Sequence, residues 1–239
     1  MIWLRWVLLK ANGLVSGLRG CFTRCKGRLK LAEFSIADFK ERAAKHLLVD
    51  PPVTWNRSDD DMNERARMIP EGVVTKAASV LIPIILREGG PTVMLTQRTV
   101  HLTSHGGQIA FPGGRQDEGE TALAAALREA LEETGLASDY VTPLGYLDGY
   151  LTITHYMVTP VVALVREGFD LQAHAHEVDD IFEVPLSFLM NPFNRQTQSR
   201  EWKGMVRHFY VYPHGDRYIW GATAGMIKNL YDRLYETPS

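Results

Sequence analysis

Cysteine is scarce in this chain. Its two thiols, Cys21 and Cys25, sit close together near the N-terminus. They are too few for a disulfide framework, and their scarcity reads as a reducing compartment. Long apolar runs are missing too: no stretch approaches the roughly 18 residues that a membrane-crossing helix needs. Acid is missing from residues 1–30, which carry Arg5, Lys10, Arg19, Arg24, Lys26, Arg28 and Lys30. All 28 Asp and Glu therefore fall in the remainder, which is net negative although the whole chain carries only −2. An acidic body excludes a nucleic-acid-binding surface by charge. It suits a protein that gathers divalent cations before it meets an anionic small molecule. No internal repeat or low-complexity tract is present, which excludes a solenoid.

The 239 residues, 45% of them hydrophobic, suit one domain with extensions. Residues 1–30 stand apart as a basic N-terminal extension, and 31–239 read as a single domain that opens and closes with a helix. Trp3, Val7, Ala11, Leu14, Leu18 and Phe22 share one helical stripe with Arg5 and Arg19 across from it, while Gly13, Gly17 and Gly20 weaken any helix there. Three readings compete: a targeting presequence, a membrane-surface helix and a partly disordered extension. The extension is favoured. The matching localisation is cytoplasmic, with mitochondrial as the alternative if the basic segment is a presequence. The final Glu236-Thr237-Pro238-Ser239 is not a peroxisomal address of the Ser-Lys-Leu type. Nothing in the pattern specifies an oligomer.

Ser35-x-x-Asp38 resembles a capping box and predicts a helix to about Leu48, stopped before Pro51-Pro52. Residues 56–72 are polar, and Asp59-Asp60-Asp61 within them reads as a solvated loop rather than a metal site. Ala77–Leu86 reads as a buried strand, Gly89-Gly90-Pro91 as a turn and Thr92–Arg98 as the returning strand of a hairpin. The segment 106–114, GGQIAFPGG, is a short apolar strand between glycines. Further strands are expected over 141–151 and 158–165, a short helix over 185–190 and a closing helix over 225–235. Strands on both sides of a central helix, without regular βαβ repeats, predict an α+β fold: a mixed sheet packed by helices.

Residues 114–136, GRQDEGETALAAALREALEETGL, carry the chemistry. On a helical wheel Glu129 and Glu133 share a face with Glu132 beside them. Leu123, Leu127, Leu131 and Thr134 lie opposite and are expected to form the buried stripe, while Ala122, Ala125 and Ala126 lie on the carboxylate side. Clustered carboxylates repel unless a cation or an arginine offsets them. Arg128 is placed to hold Glu132 four residues on. Glu129 and Glu133 are left as hard oxygen ligands of the kind Mg²⁺ or Mn²⁺ prefers. A solvated helix face is the alternative reading of such a cluster taken alone.

The spacing decides between them. Gly114, five residues, Glu120, seven residues, Arg128-Glu129-Ala130, one residue, Glu132-Glu133, one residue, Gly135-Leu136 resembles the Nudix box, the signature of hydrolases that cleave nucleoside diphosphates linked to another group. The resemblance implies the Nudix fold, an α/β/α sandwich with a mixed β-sheet between helices. The candidate metal ligands are Glu129, Glu132 and Glu133, with Mg²⁺ or Mn²⁺ as cofactor, and Arg128 joins them as a candidate catalytic residue. Gly113 and Gly114 lack a Cβ, so their backbone can approach metal or phosphate. Gly135 is expected to end the helix in the left-handed conformation. The base that takes a proton from water is either a carboxylate of the cluster or Glu177, whose alternative reading is a surface-loop acid. His174 and His176 lack the further ligands that a zinc site needs and read as surface histidines.

Upstream, Leu95-Thr96-Gln97-Arg98-Thr99 and then His105-Gly-Gly-Gln-Ile-Ala-Phe-Pro-Gly-Gly114 resemble the extra motif of the coenzyme A diphosphatases within that family. Thr99 stands where Ser or Ala is usual, and Thr103 where a second Arg is often found. Gly145–Asp148, Val158–Val162, Glu177-Val178, Val184–Leu186 and Ile219–Ala224 resemble later segments of the same group. The resemblance implies a small-molecule substrate, coenzyme A or an acyl-CoA, cleaved to 4′-phosphopantetheine or its acyl form and adenosine 3′,5′-bisphosphate. Arg98 becomes a candidate phosphate-binding fork; its alternative is an ion pair with a local acid. ADP-ribose or another nucleoside diphosphate derivative is the alternative substrate, and an inactive Nudix-fold binding module the alternative of a different class.

Overall fold

The structure, a computed structural model, describes residues 34–63, 74–100, 106–202 and 204–236. The basic extension of residues 1–30, Thr103, His105 and most of the polar run after Asn63 lie outside the described residues.

Two long strands form the centre. β2 (Lys76–Ile85) runs parallel to β8 (Tyr156–Val165) in unbroken register, Lys76 opposite Tyr156 through Ile85 opposite Val165. Both are nearly continuous apolar runs, as strands covered on both faces must be. Residues of β2 alternate between two cores: Ala78, Ile82 and Ile84 pack with α1 (Ile36–His46) and α4 (Gly221–Tyr235), whereas Leu81 and Ile85 pack under α2 (Ala122–Thr134). Helices thus cover the sheet on both sides, the α/β/α arrangement expected. Pro83 sits mid-strand in β2, where a missing N–H is usually not tolerated. The Leu81 N–H points at Pro112 O, and N–H direction alternates along a strand, so the Pro83 nitrogen faces that same side. There β2 has changed partner, from β5 (Gly113–Arg115) at residues 78–80 to β3 (Thr92–Arg98) at residues 84–85, and no ladder bond is lost.

Around this pair the described residues form a mixed nine-stranded sheet. β1 (Trp55–Ser58) runs parallel to β7 (Gly149–Leu151), β6 (Val141–Tyr146) and β7 both pair with β8, and β3 (Thr92–Arg98) joins β4 (Ile109–Ala110) and β9 (Val178–Pro185). The strand expected over 141–151 is therefore two, separated at Leu147-Asp148. That over 106–114 is also two, β4 and β5 (Gly113–Arg115). Asp148 explains the first break. Its carboxylate accepts from Asn56 Nδ2 at 3.0 Å and from Arg233 Nε at 3.0 Å, joining β1 to the closing helix.

α1 (Ile36–His46) starts at Ser35, whose hydroxyl accepts from the Asp38 N–H as the capping motif predicts, and it buries Phe39 and Ala43. α2 (Ala122–Thr134) follows the β5 loop, α3 (Leu186–Leu189) is the short helix expected, and α4 (Gly221–Tyr235) begins four residues earlier than expected. A second sheet, β10 (Gln196–Trp202), β11 (Met205–His214) and β12 (Arg217–Trp220), has no counterpart in the sequence reading. Arg217 fixes it by donating to Gln97 on β3 and Asp180 on β9, and α4 follows β12 directly, its Thr223 hydroxyl donating to Ile109 O at 2.9 Å.

Candidate active site

α2 is capped at both ends by its own sequence. The Thr121 hydroxyl accepts from the Ala124 N–H at 3.2 Å, and Gly135 closes the helix at φ 74°, the left-handed stop expected of it. The face it buries is the expected one only in part: Thr134 is buried, and Leu123 and Leu127 pack against the core, but alanines fill most of it. Ala122, Ala125, Ala126 and Ala130 are buried together with Glu133 and Thr134, Leu123 and Leu127 are half-buried, and Leu131 is exposed. Small residues bring the helix close to β2 and β5, and that closeness puts the carboxylates where the chain turns. Bulk on the leucine side would have held it away.

Arg128 ties loop to helix. Nε and Nη2 form a fork on the two Glu120 oxygens, each at 3.0 Å, and Nη2 also donates to Arg115 O at 3.0 Å. Nη1 reaches Glu129 Oε1 at 3.0 Å and Glu132 Oε2 at 3.1 Å. The pair expected with Glu132 is present, but it is the outermost of four contacts. Glu120 is the partner that sequence reasoning left unassigned, although it stood in the motif eight residues before Arg128.

The two glycines of the loop touch these carboxylates directly. A Cβ on Gly114 would lie 2.4 Å from Glu129 Oε1, and one on Gly113 would lie 2.3 Å from Ser79 O. Gly113 also donates its N–H to Glu133 Oε2 at 3.2 Å. Glu133 is nearly sealed from solvent, and burial pushes its carboxyl up to about 7 against an ordinary 4.5. The Gly113 N–H and Arg98 oppose that rise, and the charges of Glu129 and Glu177 add to it. Glu129 is raised as well, first by burial, with Arg128 opposing and Glu132 and Glu177 reinforcing.

Arg98 stands at the end of β3 with Nη1 3.5 Å from Glu133 Oε1, so in this structure it faces a local acid. Glu177 is exposed, yet backbone bonds hold its loop to the helix end: Gln172 N–H to Thr134 O, His174 N–H to Glu133 O and Thr99 N–H to Glu177 O. This is how a residue 44 positions after Glu133 comes to bear on it electrostatically. His174 and His176 are both exposed.

Glu129, Glu133 and Glu177 thus raise or share one field of negative charge, with Arg98 and Arg128 at its margins. Their oxygens are hard donors, and a divalent cation is the partner that such mutual repulsion calls for. Among the described residues no three His, Cys, Asp or Glu side chains converge closely enough to enclose an ion. Glu132 in particular is turned to Arg128 and is more than half exposed. The donor chemistry fits a divalent ion, and the set is open on one side.

Next to the loop lies a cavity of about 750 Å³. Gly113, Gly114 and Arg115 line it, as do Phe111 and Val80, residues of the β10–β12 sheet, and Asp59 and Tyr150. Sequence reasoning missed most of this wall, and it misjudged Asp59-Asp60-Asp61. That run is no solvated loop. The Tyr150 hydroxyl and the Ile153 N–H donate to Asp59 at 3.0 and 2.8 Å, the Ser58 N–H to Asp61 at 2.9 Å, and Arg207 stands 3.3 Å from Asp60.

A model of the NUDIX domain matches residues 75–203. The Nudix hydrolase NudL of Escherichia fergusonii is 38% identical over 164 residues, covering 65% of this chain and 81% of the relative. That of Shigella flexneri is 36% identical over 172 residues, covering 68% and 85%. Among solved structures, a MutT/nudix family protein from Enterococcus faecalis has a TM-score of 0.47 at 17% identity over 73% of this chain and 67% of its own. The Ap4A hydrolase of C. elegans in a binary complex has 0.41 at 22% identity over 46% and 80%. Nudix hydrolases generally use divalent cations such as Mg²⁺. The domain match over more than half of the chain, and relatives that align across most of their own length, place this chain in the Nudix hydrolase family.

Proposed function

We propose that this Nudix hydrolase cleaves the diphosphate of coenzyme A and its thioesters. The observation that carries the reading is the segment from Leu95 to Gly114, with its resemblance to the coenzyme A diphosphatases. Its two ends lie at the two places that such a substrate has to meet. Arg98 stands beside Glu133, and Gln108–Phe111 with Gly113 and Gly114 line the cavity.

Glu129, Glu133 and Glu132 would hold Mg²⁺ or Mn²⁺. When bound, the ion neutralises diphosphate charge and acidifies a water. Glu132 would join them only away from Arg128, whose bonds to Glu120 and Arg115 O hold the loop to the helix independently of Glu132. Arg98, beside Glu133, would bind a phosphate oxygen of the substrate, and its planar fork suits either acceptor. Glu177 stands outside the buried pair and takes the proton from the attacking water. Water gives its hydroxyl to one phosphorus, and the bridging oxygen leaves on the other. The products are 4′-phosphopantetheine, or its acyl form, and adenosine 3′,5′-bisphosphate. The apolar part of the cavity excludes bulk water from the bond under attack.

The test is product release from coenzyme A, an acyl-CoA, ADP-ribose, NADH and nucleoside triphosphates, each with Mg²⁺ and with Mn²⁺. Coenzyme A is expected to give the highest specificity constant by at least about tenfold. A preference for ADP-ribose or a triphosphate overturns the substrate and leaves the hydrolase.

A further inference from the structure

Arg200 on β10 and Arg207 on β11 are directly opposed in the antiparallel ladder, so their side chains share one face. Like charges at such a position repel and destabilise the pair unless an anion lies between them. Arg207 has an acid on one side, Asp60 at 3.3 Å, and its Nε is buried without a hydrogen-bond partner. Arg200 is exposed and has no ion-pair partner among the described residues. The same face carries Phe209, two residues along β11, and Trp220 from β12, with ring centroids 5.5 Å apart. All four side chains line the cavity that also touches Gly113 and Gly114. The acids on its wall are engaged internally: Asp59 by Tyr150 and Ile153, Asp61 by Ser58.

A pair of opposed guanidinium groups beside two aromatic rings is suited to a phosphomonoester attached to a nucleoside. The proposed substrate has such a group, and the scissile bond makes no use of it. We propose that Arg200 and Arg207 bind the 3′-phosphate of the adenosine end of coenzyme A, with the adenine ring against Phe209 and Trp220. The proposal rests on the coenzyme A reading and deepens it: a cationic pair on a sheet outside the signature supplies what the upstream motif lacks at Thr103. The pantetheine arm then leaves from the other side of the diphosphate.

The test compares coenzyme A with dephospho-coenzyme A, in wild type and in Arg200→Ala and Arg200→Lys. Arg200 is the site of choice because it holds no other side chain among the described residues. The readout is the ratio of the two specificity constants, since a folding defect lowers both alike. Charge-assisted hydrogen bonds are strong enough for wild type to prefer coenzyme A by at least about tenfold. Arg200→Ala is expected to bring the ratio to within about threefold of one, through KM for coenzyme A, and Arg200→Lys to restore part of it. A ratio that Arg200→Ala leaves intact overturns the proposal and leaves the substrate standing, and so does a wild-type ratio near one. If coenzyme A is not preferred over ADP-ribose, the substrate reading fails, and calorimetry with adenosine 3′,5′-bisphosphate and AMP decides the subsite. Tighter binding of the bisphosphate that disappears in Arg200→Ala upholds it, and equal binding of the two nucleotides overturns it.

Discussion

Two acidic clusters of similar density meet opposite fates in this molecule. Asp59, Asp60 and Asp61 follow β1, and Glu129, Glu132 and Glu133 end α2. In the first, a tyrosine hydroxyl and two backbone N–H groups donate to Asp59 and Asp61, and Arg207 pairs with Asp60, whose Oδ1 is buried without a hydrogen bond. In the second, Arg128 covers one flank, and the Gly113 N–H and Arg98 meet Glu133, yet the charges of Glu129 and Glu177 still bear on it. Both clusters contain a carboxyl whose proton affinity is raised by burial. The difference lies in supply. The Asp cluster draws donors from distant parts of the chain, whereas the inner carboxylates of the Glu cluster bear on one another, which is the repulsion that the proposed cation would offset.

The largest effect that sharpens this contrast is catalytic. Glu129→Gln and Glu133→Gln are each expected to lower turnover by at least about a hundredfold with the fold intact, because the loss falls on charge stabilisation in the transition state. Steady-state rates at saturating Mg²⁺ or Mn²⁺ check this, and near-normal rates in both variants break the assignment.

The second effect is on stability and has the opposite sign. Folded Glu133 keeps its proton up to about 7, against 4.5 when unfolded. Between those values the folded state binds more protons, so metal-free stability falls as pH rises. Glu133→Gln removes that loss, and above pH 7 it is expected to stabilise the metal-free protein by up to roughly 3 kcal/mol. Melting with a chelator at pH 5 and pH 8 tests it: the advantage of the variant grows with pH, and a constant or shrinking difference contradicts the buried, donor-poor carboxylate.

Asp59→Ala belongs to the filled cluster and should do the reverse. It leaves the Tyr150 hydroxyl and the Ile153 N–H without their acceptor, at a cost of about 1–3 kcal/mol. Chelator should not change this loss of Tm, whereas it should change the behaviour of the α2 variants. A metal-dependent Asp59 effect would erase the distinction between the clusters. The smallest effect is that of Arg128→Lys, which keeps the charge and loses the fork on Glu120; about 1 kcal/mol of stability and a severalfold drop in turnover are expected. Unchanged melting and turnover would reduce the fork to a surface contact.

Much of the fold was open to reading. The two central strands, the hairpin, α1 with its Ser35 cap, α2 with its Gly135 stop and the closing helix follow from local pattern, because caps and apolar runs are written in neighbouring residues. The β10–β12 sheet was not readable: Arg200, Glu201, Arg207 and His208 give it no apolar alternation, and it is held by Arg217 contacts to β3 and β9 far away in the chain. The buried face of α2 was read only in part, Thr134 and the inner leucines being right and the alanines missed, for a related reason. Leucines outrank alanines in any apolar count, but close approach to β2 and β5 requires the smaller side chains.

The sequence by itself determined the chemistry on offer: the charged and glycine positions of the signature and their helical spacing are local properties of the chain. The tertiary structure decided which groups were left to use that chemistry. Glu129 and Glu133 lie close together because the helix packs through its alanines and sets them against β5, where Gly113 and Gly114 leave room for them. Asp59 is provided for because Tyr150 and Ile153, more than ninety positions later, come round to meet it. Hydrogen-bond supply depends on what folding brings near, and spacing along a chain does not encode that.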